Sequence, residues 1–309
     1  MNYRTLYGLG QEVCKLSFGG NILGGKFDRE QSFALLDAYH EQGGNFIDTA
    51  DMYSVWMPGH RGGESEEVIG AWMKDRGVSD AIVVGTKVGL PMSADEKGLS
   101  ASYILSSAER SLRRLGRDHI DIYYAHTDDF DTPIEETLKA FDSLVSSGKV
   151  RSLGVSKHTA ARLSASLDIS EKENLARYVV VQPNYNLYTR NIFEGELRDV
   201  CLARSVDVVP HSALATGFLS GKYRSRTEVE GRKIAEFFDE RGVRLLDVLH
   251  GVADETGHSP AQIAIAWLLE REGVKSVVAS PVDVPAVAEL MAAVGITLAP
   301  EHYTALSEI

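Results

Sequence analysis

The sequence is poor in cysteine and proline, and it has no long apolar run. Its two cysteines, Cys14 and Cys201, lie far apart, with no C-x-x-C pair and no metal-ligand spacing. This scarcity excludes a disulfide-stabilised scaffold and predicts two buried free thiols in a reducing cytoplasm. No segment approaches the roughly eighteen apolar residues of a membrane span, and the first residues, MNYRTLYGLG, lack the apolar core of a signal peptide. We therefore expect a cytoplasmic protein.

Positive charge is also scarce. There are 32 Lys and Arg residues against 44 Asp and Glu, which gives a net charge of −12. Nucleic acids and anionic membranes bind clusters of Lys and Arg, so neither is expected as the main partner. What is present, 44% hydrophobic and 25% charged residues, is the composition of a globular protein, and 309 residues suit one large α/β barrel.

Short runs rich in β-branched residues alternate with longer helical patterns along the chain. Capping signals support three of the helices: Ser259 with Pro260 and Gln262, Thr132 with Pro133 and Glu135, and Asp28 with Gln31. Strands that alternate with helices imply parallel pairing through right-handed crossovers. The eight predicted strands are Lys15–Phe18, Asn45–Thr49, Ala81–Thr86, Ile120–Ala125, Val150–Val155, Val179–Val181, Val206–Pro210 and Ser276–Ala279.

Eight such units favour a closed (β/α)₈ TIM barrel over an open doubly wound sheet. No shift in composition marks a boundary, so we predict a single domain over residues 1–309. A short N-terminal β-hairpin, Arg4–Leu6 against Glu12–Val13, is expected to cap the barrel floor.

Polar residues follow the predicted strands, and in TIM barrels the active site lies at these carboxyl ends. The polar residues there are Asp48 and Tyr53, Lys87, His126, Ser156, Gln182, His211 with Ser212, and Ser280. Any one of them alone is weak support for a site, because strand ends commonly carry capping acids and surface charges.

Four of these residues together match one kind of chemistry. Hydride addition to a carbonyl creates an alkoxide, which needs a proton donor. A tyrosine has an ordinary pKa of about 10, and a lysine ammonium beside it is expected to lower that pKa by favouring the phenolate. A carboxylate would hold the lysine, and a histidine would orient the carbonyl. Asp48, Tyr53, Lys87 and His126 supply this set.

With these residues in place, the chain resembles the aldo-keto reductase family. The segments that carry the resemblance are FIDTADMY, VVGTK, IYYAH, LGVSK, QPNYN and HSALATGFLSGKY, in the family's order from about residue 15 to residue 290. The resemblance implies that Tyr53 is the general acid, Lys87 lowers its pKa, Asp48 pairs with Lys87, and His126 positions the carbonyl. It also implies an oxidoreductase that reduces an aldehyde or ketone, or runs the reverse reaction.

The resemblance further implies a nicotinamide dinucleotide across the barrel mouth. Ser156 and Gln182 would bind the carboxamide, with Lys157 where the family usually has Asn, and His211 would stack on the nicotinamide. The remaining predicted cofactor residues are Ser212, Leu214, Gly217, Lys222, Ser280 and Asp283.

Members of the family usually use NADP(H) as cofactor. In this chain, however, the loop after the last strand reads ASPVDVPAVAEL. Val282 stands where an Arg usually meets the 2′-phosphate, and Ala286 replaces a Gln. Asp283 would repel that phosphate or accept a hydrogen bond from a 2′-hydroxyl. We therefore expect NAD(H) to be tolerated and even preferred.

The loop after Tyr53, SVWMPGHRGGESEE, is longer than the family's usual connection. Trp56 and Met57 are candidates for an apolar surface beside the substrate carbonyl, and His60 and Arg61 for contacts with a hydroxylated or anionic group. An equal alternative is a surface loop without a role in substrate binding. The mixture favours a small carbonyl compound, a sugar or a sugar derivative as substrate.

Two other functions remain as alternatives. One is a cofactor-binding regulatory or sensor subunit of the same fold, as some members of the family are. The other is a metal-dependent hydrolase using His126, Asp128 and Asp129, although the H-x-H signature is missing and no metal ligand is predicted.

Overall fold

The computed structural model describes residues 2–309 and contains two sheets. Strands and helices are numbered in chain order. The hairpin strands β1 (Tyr3–Thr5) and β2 (Glu12–Cys14) pair antiparallel. Eight parallel strands follow in the order β10-β3-β4-β5-β6-β7-β8-β9: β3 (Leu16–Gly19), β4 (Phe46–Asp48), β5 (Val83–Val88), β6 (Ile120–Ala125), β7 (Val150–Ser156), β8 (Tyr178–Gln182), β9 (Asp207–Val208) and β10 (Val277–Ala279).

Hydrogen bonds beside the short strand β9 close this sheet into a ring. The Val208 N–H donates to the Gly273 carbonyl at 3.0 Å, and the Val278 N–H donates to the Pro210 carbonyl at 2.9 Å. The predicted TIM barrel with an N-terminal hairpin is therefore confirmed. β9 is shorter than the predicted Val206–Pro210, and β5 runs two residues past the predicted end and so includes Lys87.

Ten α-helices surround or extend this ring in residues 2–309: α1 (Arg29–Glu41), α2 (Glu64–Arg76), α3 (Ala101–Leu115), α4 (Ile134–Ser146), α5 (Ala160–Glu173), α6 (Glu196–Ala203), α7 (Glu240–Thr256), α8 (Pro260–Leu269), α9 (Val284–Ala292) and α10 (Pro300–Ser307). Short 3₁₀ helices span Gly20–Ile22, Ser79–Ala81, Ala215–Ser220, Arg226–Val229, Lys233–Phe237 and Ala293–Gly295. Within residues 2–309 no single helix is long and apolar enough to cross a membrane; Val284–Gly295 and Pro300–Ser307 reach that length and composition only as a pair bent by 111°.

Two of the three predicted helix caps are confirmed. Asp28 with Gln31 and Ser259 with Gln262 each form a reciprocal capping box. The third prediction is wrong, because α4 begins at Ile134 and Pro133 occupies the N-cap position. The Thr132 hydroxyl instead donates to Asp129 Oδ2 at 2.7 Å.

The barrel interior is filled from below by the hairpin, as predicted. Leu6, Leu9 and Val13 pack in one buried cluster with the inward-facing residues Phe46, Val83, Ile122, Tyr124, Val180, Val209 and Val278. The free cysteines Cys14 and Cys201 are both buried, which confirms that prediction too.

Candidate active site

Strand geometry places four polar side chains inside the top of the barrel. Side chains alternate between the two faces of a strand, so residues an even number of positions apart share a face. Phe46, Val83, Ile122 and Val180 line the interior. Asp48, Lys87, His126 and Gln182 lie two or four residues further along the same strands and therefore point to the same interior at its carboxyl end.

Lys87 is the centre of the site and is fully buried. Its Nζ donates to Asp48 Oδ2 at 2.7 Å, to the Thr49 carbonyl at 2.6 Å and to the Tyr53 hydroxyl at 3.1 Å. An ammonium has three protons, so each one has a partner. A buried charge is tolerated only when it is paired and hydrogen-bonded, and Asp48 provides the pairing.

Tyr53 contacts Lys87 and two aromatic rings. Its hydroxyl lies 3.4 Å from Asp48 Oδ2, and its ring meets those of Trp56 and His126 edge-on, with centroids 6.0 Å apart in both cases. The phenol, the ammonium, the carboxylate and the imidazole are therefore brought together, in the grouping that the sequence predicted.

The pKa of Tyr53 differs from the sequence prediction. Burial, and then the charge of Asp48, raise the pKa of Tyr53 well above its ordinary value, whereas we expected Lys87 to lower it. The physical reason is that Asp48 disfavours the phenolate while the site withdraws the phenol from water. Burial also lowers the pKa of Lys87, and the Asp48 carboxylate opposes that effect.

The pKa values of His126 and His211 are both lowered, which favours the neutral form of each imidazole. Burial lowers the pKa of His126 well below its ordinary value, and the charges of Lys87 and Lys157 lower it further. The same causes lower the pKa of His211 to about 4. His126 Nδ1 is buried and has no hydrogen-bond partner in residues 2–309.

The predicted carboxamide ligands take part in bonds within the protein. Gln182 Nε2 donates to Asp48 Oδ1 at 2.7 Å, and the Ser156 hydroxyl donates to the Gln182 carbonyl at 2.9 Å. Gln182 therefore fixes the second carboxylate oxygen of Asp48 while Lys87 holds the first. The sequence did not indicate this positioning role.

Backbone strain is concentrated in the loops around this end of the barrel. In residues 2–309, seven non-glycine residues have positive φ angles, which are uncommon for L-residues and frequent at functional sites. Five of them follow the carboxyl ends of strands β4, β7 and β9: Ser54, Lys157, Ser212, Ala215 and Thr216.

The other predicted cofactor residues lie along the same rim. Leu214 is half-buried, Gly217 has a φ of +92°, and Lys222 is exposed. Asp283 is the N-cap of α9, where its Oδ1 accepts the Ala286 N–H at 2.8 Å. The Ser280 hydroxyl donates to Asn21 Oδ1 at 2.7 Å, and His211 Nδ1 lies 2.9 Å from the Ser212 hydroxyl.

The three predicted substrate residues differ in position. Trp56 is 53% exposed and lies against Tyr53. His60 Nδ1 lies 3.8 Å from Glu64 Oε1. Arg61 lines a groove between α2 and α3. Asp48, Tyr53, Lys87 and His126 do not line this groove.

A buried polar network beside the site was not predicted. Asp51 is 1% exposed, and both of its carboxylate oxygens lack a hydrogen-bond partner in residues 2–309. Glu66 accepts from Thr86 at 2.5 Å and pairs with Arg114 at 2.6 Å. Only the position of Asp51, two residues before Tyr53, was a signal in the sequence; the contacts of Glu66 depend on helix packing.

The acids proposed for a metal site have other partners. Asp128 pairs with Arg162 at 2.7 Å, and Asp129 accepts from the Leu99 N–H at 2.7 Å. Across residues 2–309, His, Cys, Asp and Glu do not form a group of three placed to hold a metal ion.

The carboxyl end of this TIM barrel brings together a phenol, a buried ammonium with its carboxylate, and a neutral imidazole. This combination is typical of barrel oxidoreductases that act on carbonyl groups. The chain belongs to the aldo/keto reductase family, whose family model matches residues 15–309. It is thus an NAD(P)-dependent oxidoreductase of that family, as the sequence predicted.

Curated relatives of the chain include proteins of different kinds. The chain is 31% identical to a probable voltage-gated potassium channel subunit beta of Oryza sativa subsp. japonica, over 90% of this chain and 86% of that one. It is 31% identical to an aryl-alcohol dehydrogenase [NADP(+)] of Phanerodontia chrysosporium, over 85% and 74%. It is 30% identical to an L-glyceraldehyde 3-phosphate reductase of Escherichia coli O157:H7, over 90% and 83%.

Proposed function

We propose that Tyr53 is the general acid and base of a carbonyl reductase. The observation that supports this best is the 3.1 Å contact between the Tyr53 hydroxyl and the buried Lys87 Nζ. When bound, a nicotinamide dinucleotide supplies the hydride that reduces the carbonyl carbon. Tyr53 then gives its phenolic proton to the alkoxide oxygen, and Lys87 stabilises the phenolate that remains.

The raised pKa of Tyr53 suits this role. Reduction produces an alkoxide that must take up a proton, and only the neutral phenol has a proton to give. Because an alkoxide is a far stronger base than a phenolate, the raised pKa does not prevent this transfer. His126, being neutral, donates a hydrogen bond to the carbonyl oxygen without placing a charge beside the hydride donor. Asp48 and Gln182 hold the Lys87 ammonium in line with the phenol.

The test is Tyr53→Phe, which removes only the hydroxyl. We expect kcat to fall by about 10²–10⁴-fold, the usual contribution of a general acid, while dinucleotide binding stays intact. Binding is measured by the quenching of protein fluorescence on cofactor titration. A variant that retains kcat would refute the role of Tyr53.

We infer that the rim of the barrel binds the dinucleotide. His211, neutral at physiological pH, can stack beside an oxidised nicotinamide without charge repulsion. Gly217, in a left-handed turn, and the exposed Lys222 suit the diphosphate. Ser156, Lys157 and Gln182 are the residues that we propose to bind the carboxamide. Ser212, Leu214 and Ser280 complete the rim.

NAD(H) is the cofactor that we propose to be tolerated or preferred. Val282 and Asp283 are exposed and offer no cation to a 2′-phosphate, which Arg or Lys normally binds. Asp283 keeps Oδ2 available for a 2′-hydroxyl while Oδ1 caps α9. Steady-state kinetics with both cofactors test this: a kcat/KM for NADPH more than about a hundredfold above that for NADH, nearly 3 kcal/mol, would refute it.

The proposed substrate is a small carbonyl compound, a sugar or a sugar derivative. Trp56 offers an apolar wall beside Tyr53, and His60 lies in the same loop, whereas Arg61 lines the groove between α2 and α3. Two relatives act on an aryl alcohol and on L-glyceraldehyde 3-phosphate, according to their names. A screen of aldehydes, ketones and sugars that follows cofactor absorbance tests this. We also propose one domain over residues 1–309 and a cytoplasmic location, which the two free cysteines support.

A regulatory subunit is the second candidate function. Its support is the 31% identity to a probable voltage-gated potassium channel subunit beta. The same screen separates the two functions. No turnover across a broad panel, with cofactor binding intact, would favour the subunit over the enzyme.

A further inference from the structure

A groove of about 970 Å³ lies outside the barrel, between α2 and α3. We call it the α2–α3 groove. Its volume is that of a small-molecule site. Three segments of the chain provide its cations: the loop before α2, the last turn of α2, and the second half of α3. The cations are Arg61, Lys74, Arg110, Arg113 and Arg114.

The charges in the α2–α3 groove do not balance. Glu67 and Glu96 are the acids in its lining, and Glu66 lies behind it. Arg114 pairs with Glu66 at 2.6 Å, and Arg110 lies 3.4 Å from Glu96. In the part of the chain described, residues 2–309, the cations Arg61, Lys74 and Arg113 form no salt bridge. Five cations therefore face Glu66, Glu67 and Glu96, with the buried Asp51 behind Arg110 and Arg114. Burial raises the pKa of Asp51 and so favours its neutral form, which leaves a local surplus of positive charge in a chain whose net charge is −12.

Helix dipoles account for only part of this surplus. Lys74 and Arg113 lie in the last turns of their helices, where cations are favourable. Arg61 is on a loop, so the dipole does not explain it, and Arg110, which precedes the last turn of α3, has only Glu96 as its salt-bridge partner within residues 2–309. Like charges that converge repel each other, and a bound anion would remove that cost.

The ligand chemistry follows from the guanidinium groups. Arginine presents a planar fork of donors that matches the oxygens of a phosphate, and a phosphate monoester carries about two negative charges near neutrality. Met92, which is half-buried, lines the same groove and offers apolar surface to an organic group, and the buried Met73 and Leu115 lie beneath it. We propose that the α2–α3 groove binds a small phosphorylated organic anion at a site separate from the barrel mouth.

The test uses the full-length protein saturated with NAD⁺, which occupies the dinucleotide site without bringing the phosphate monoester that NADP⁺ carries. Phenyl phosphate, inorganic phosphate and malonate are titrated separately by isothermal calorimetry at low salt. We expect one phenyl phosphate per chain with a Kd of about 1 mM or tighter, weaker binding of inorganic phosphate, and weakening of both in 0.5 M salt, because exposed charges are screened there. Malonate, which lacks the phosphate geometry, should bind about tenfold more weakly.

Variants locate the site. Arg113→Ala and Lys74→Ala should each weaken phenyl phosphate binding by about five- to tenfold, and the double variant by more. Arg244→Ala is the matched control, since it also removes one exposed cation, from α7, and should leave the Kd unchanged. Thermal unfolding without ligand checks that all variants fold.

Three results would overturn the proposal. The first is no heat of binding up to about ten times the expected Kd. The second is an equal loss of affinity in Arg244→Ala, which would indicate net charge alone. The third is malonate binding as tightly as phenyl phosphate. Because catalysis is not measured, these outcomes are independent of the proposed reductase activity.

Discussion

At the scale of single residues, burial favours the neutral form of three titratable groups around the position of the carbonyl. It raises the pKa of the Tyr53 phenol and lowers those of the Lys87 ammonium and the His126 imidazole. Asp48 keeps Lys87 charged against this tendency. The identity of these groups could be predicted from the sequence, since each follows a strand. The direction of the Tyr53 shift could not, because it depends on how far the fold excludes water and how close Asp48 comes.

A pH profile follows from these directions. Reduction needs Tyr53 protonated, and its pKa is raised, so the proton stays in place through the neutral and mildly alkaline range. The pKa of His126 is lowered, so the imidazole stays uncharged at every pH above its ordinary pKa. We therefore expect kcat/KM for reduction to be flat between about pH 6.5 and 10, and the rate of alcohol oxidation, which needs the phenolate, to rise throughout that range. Initial rates in both directions provide the measurement. A fall in reduction near pH 8 would contradict this expectation and would point to loss of a proton from Tyr53 or from Lys87, whose pKa burial lowers.

At the scale of elements, runs of β-branched residues predicted all eight barrel strands, because a buried parallel strand must be apolar on both faces. Capping was predicted where side chain and backbone are close in sequence, as at Asp28 and Ser259. It failed at Thr132, whose hydroxyl binds Asp129 in the preceding loop. Close approaches between strands were invisible too: Gly154 on β7 lies against the Tyr124 ring, and a Cβ there would sit 2.4 Å from Tyr124 Cδ1.

Gly154→Ala is expected to destabilise the barrel. The new methyl group would overlap the buried Tyr124 ring, and overpacking of this kind costs about 1–3 kcal/mol in the free energy of unfolding. Gly251→Ala is the matched control. Gly251 is on the exposed side of α7 with open space around it, so alanine there should stabilise by up to about 1 kcal/mol. Urea denaturation measures both changes, and equal midpoints for the two variants would contradict the tight contact.

At the scale of the whole molecule, the two ends of the barrel have different tasks. The carboxyl end contains the buried ion pair, the neutral histidines and most of the strained loops. The amino end is closed by Leu6, Leu9 and Val13 of the hairpin region, and the Tyr7 N–H donates to Asp207 Oδ2 at 2.6 Å. The hairpin was predicted from the GLGQ turn. The Glu66–Arg114 ion pair beside the buried Asp51 was not, since these residues come from a loop and two helices that only packing brings together.

This division predicts that stability and catalysis can be changed separately. Leu6 is 2% exposed inside the barrel, and Leu6→Ala should lower the free energy of unfolding by about 2–5 kcal/mol through lost burial and a cavity. Because the change lies at the end opposite Tyr53, kcat per folded molecule at 25 °C should stay within about twofold of the unchanged protein. Leu105→Ala, on the exposed side of α3, is the control and should change stability by about 0.5 kcal/mol or less. Urea denaturation and active-site titration together decide the matter: if Leu6→Ala lowers kcat in proportion to stability, the floor of the barrel also positions the catalytic groups.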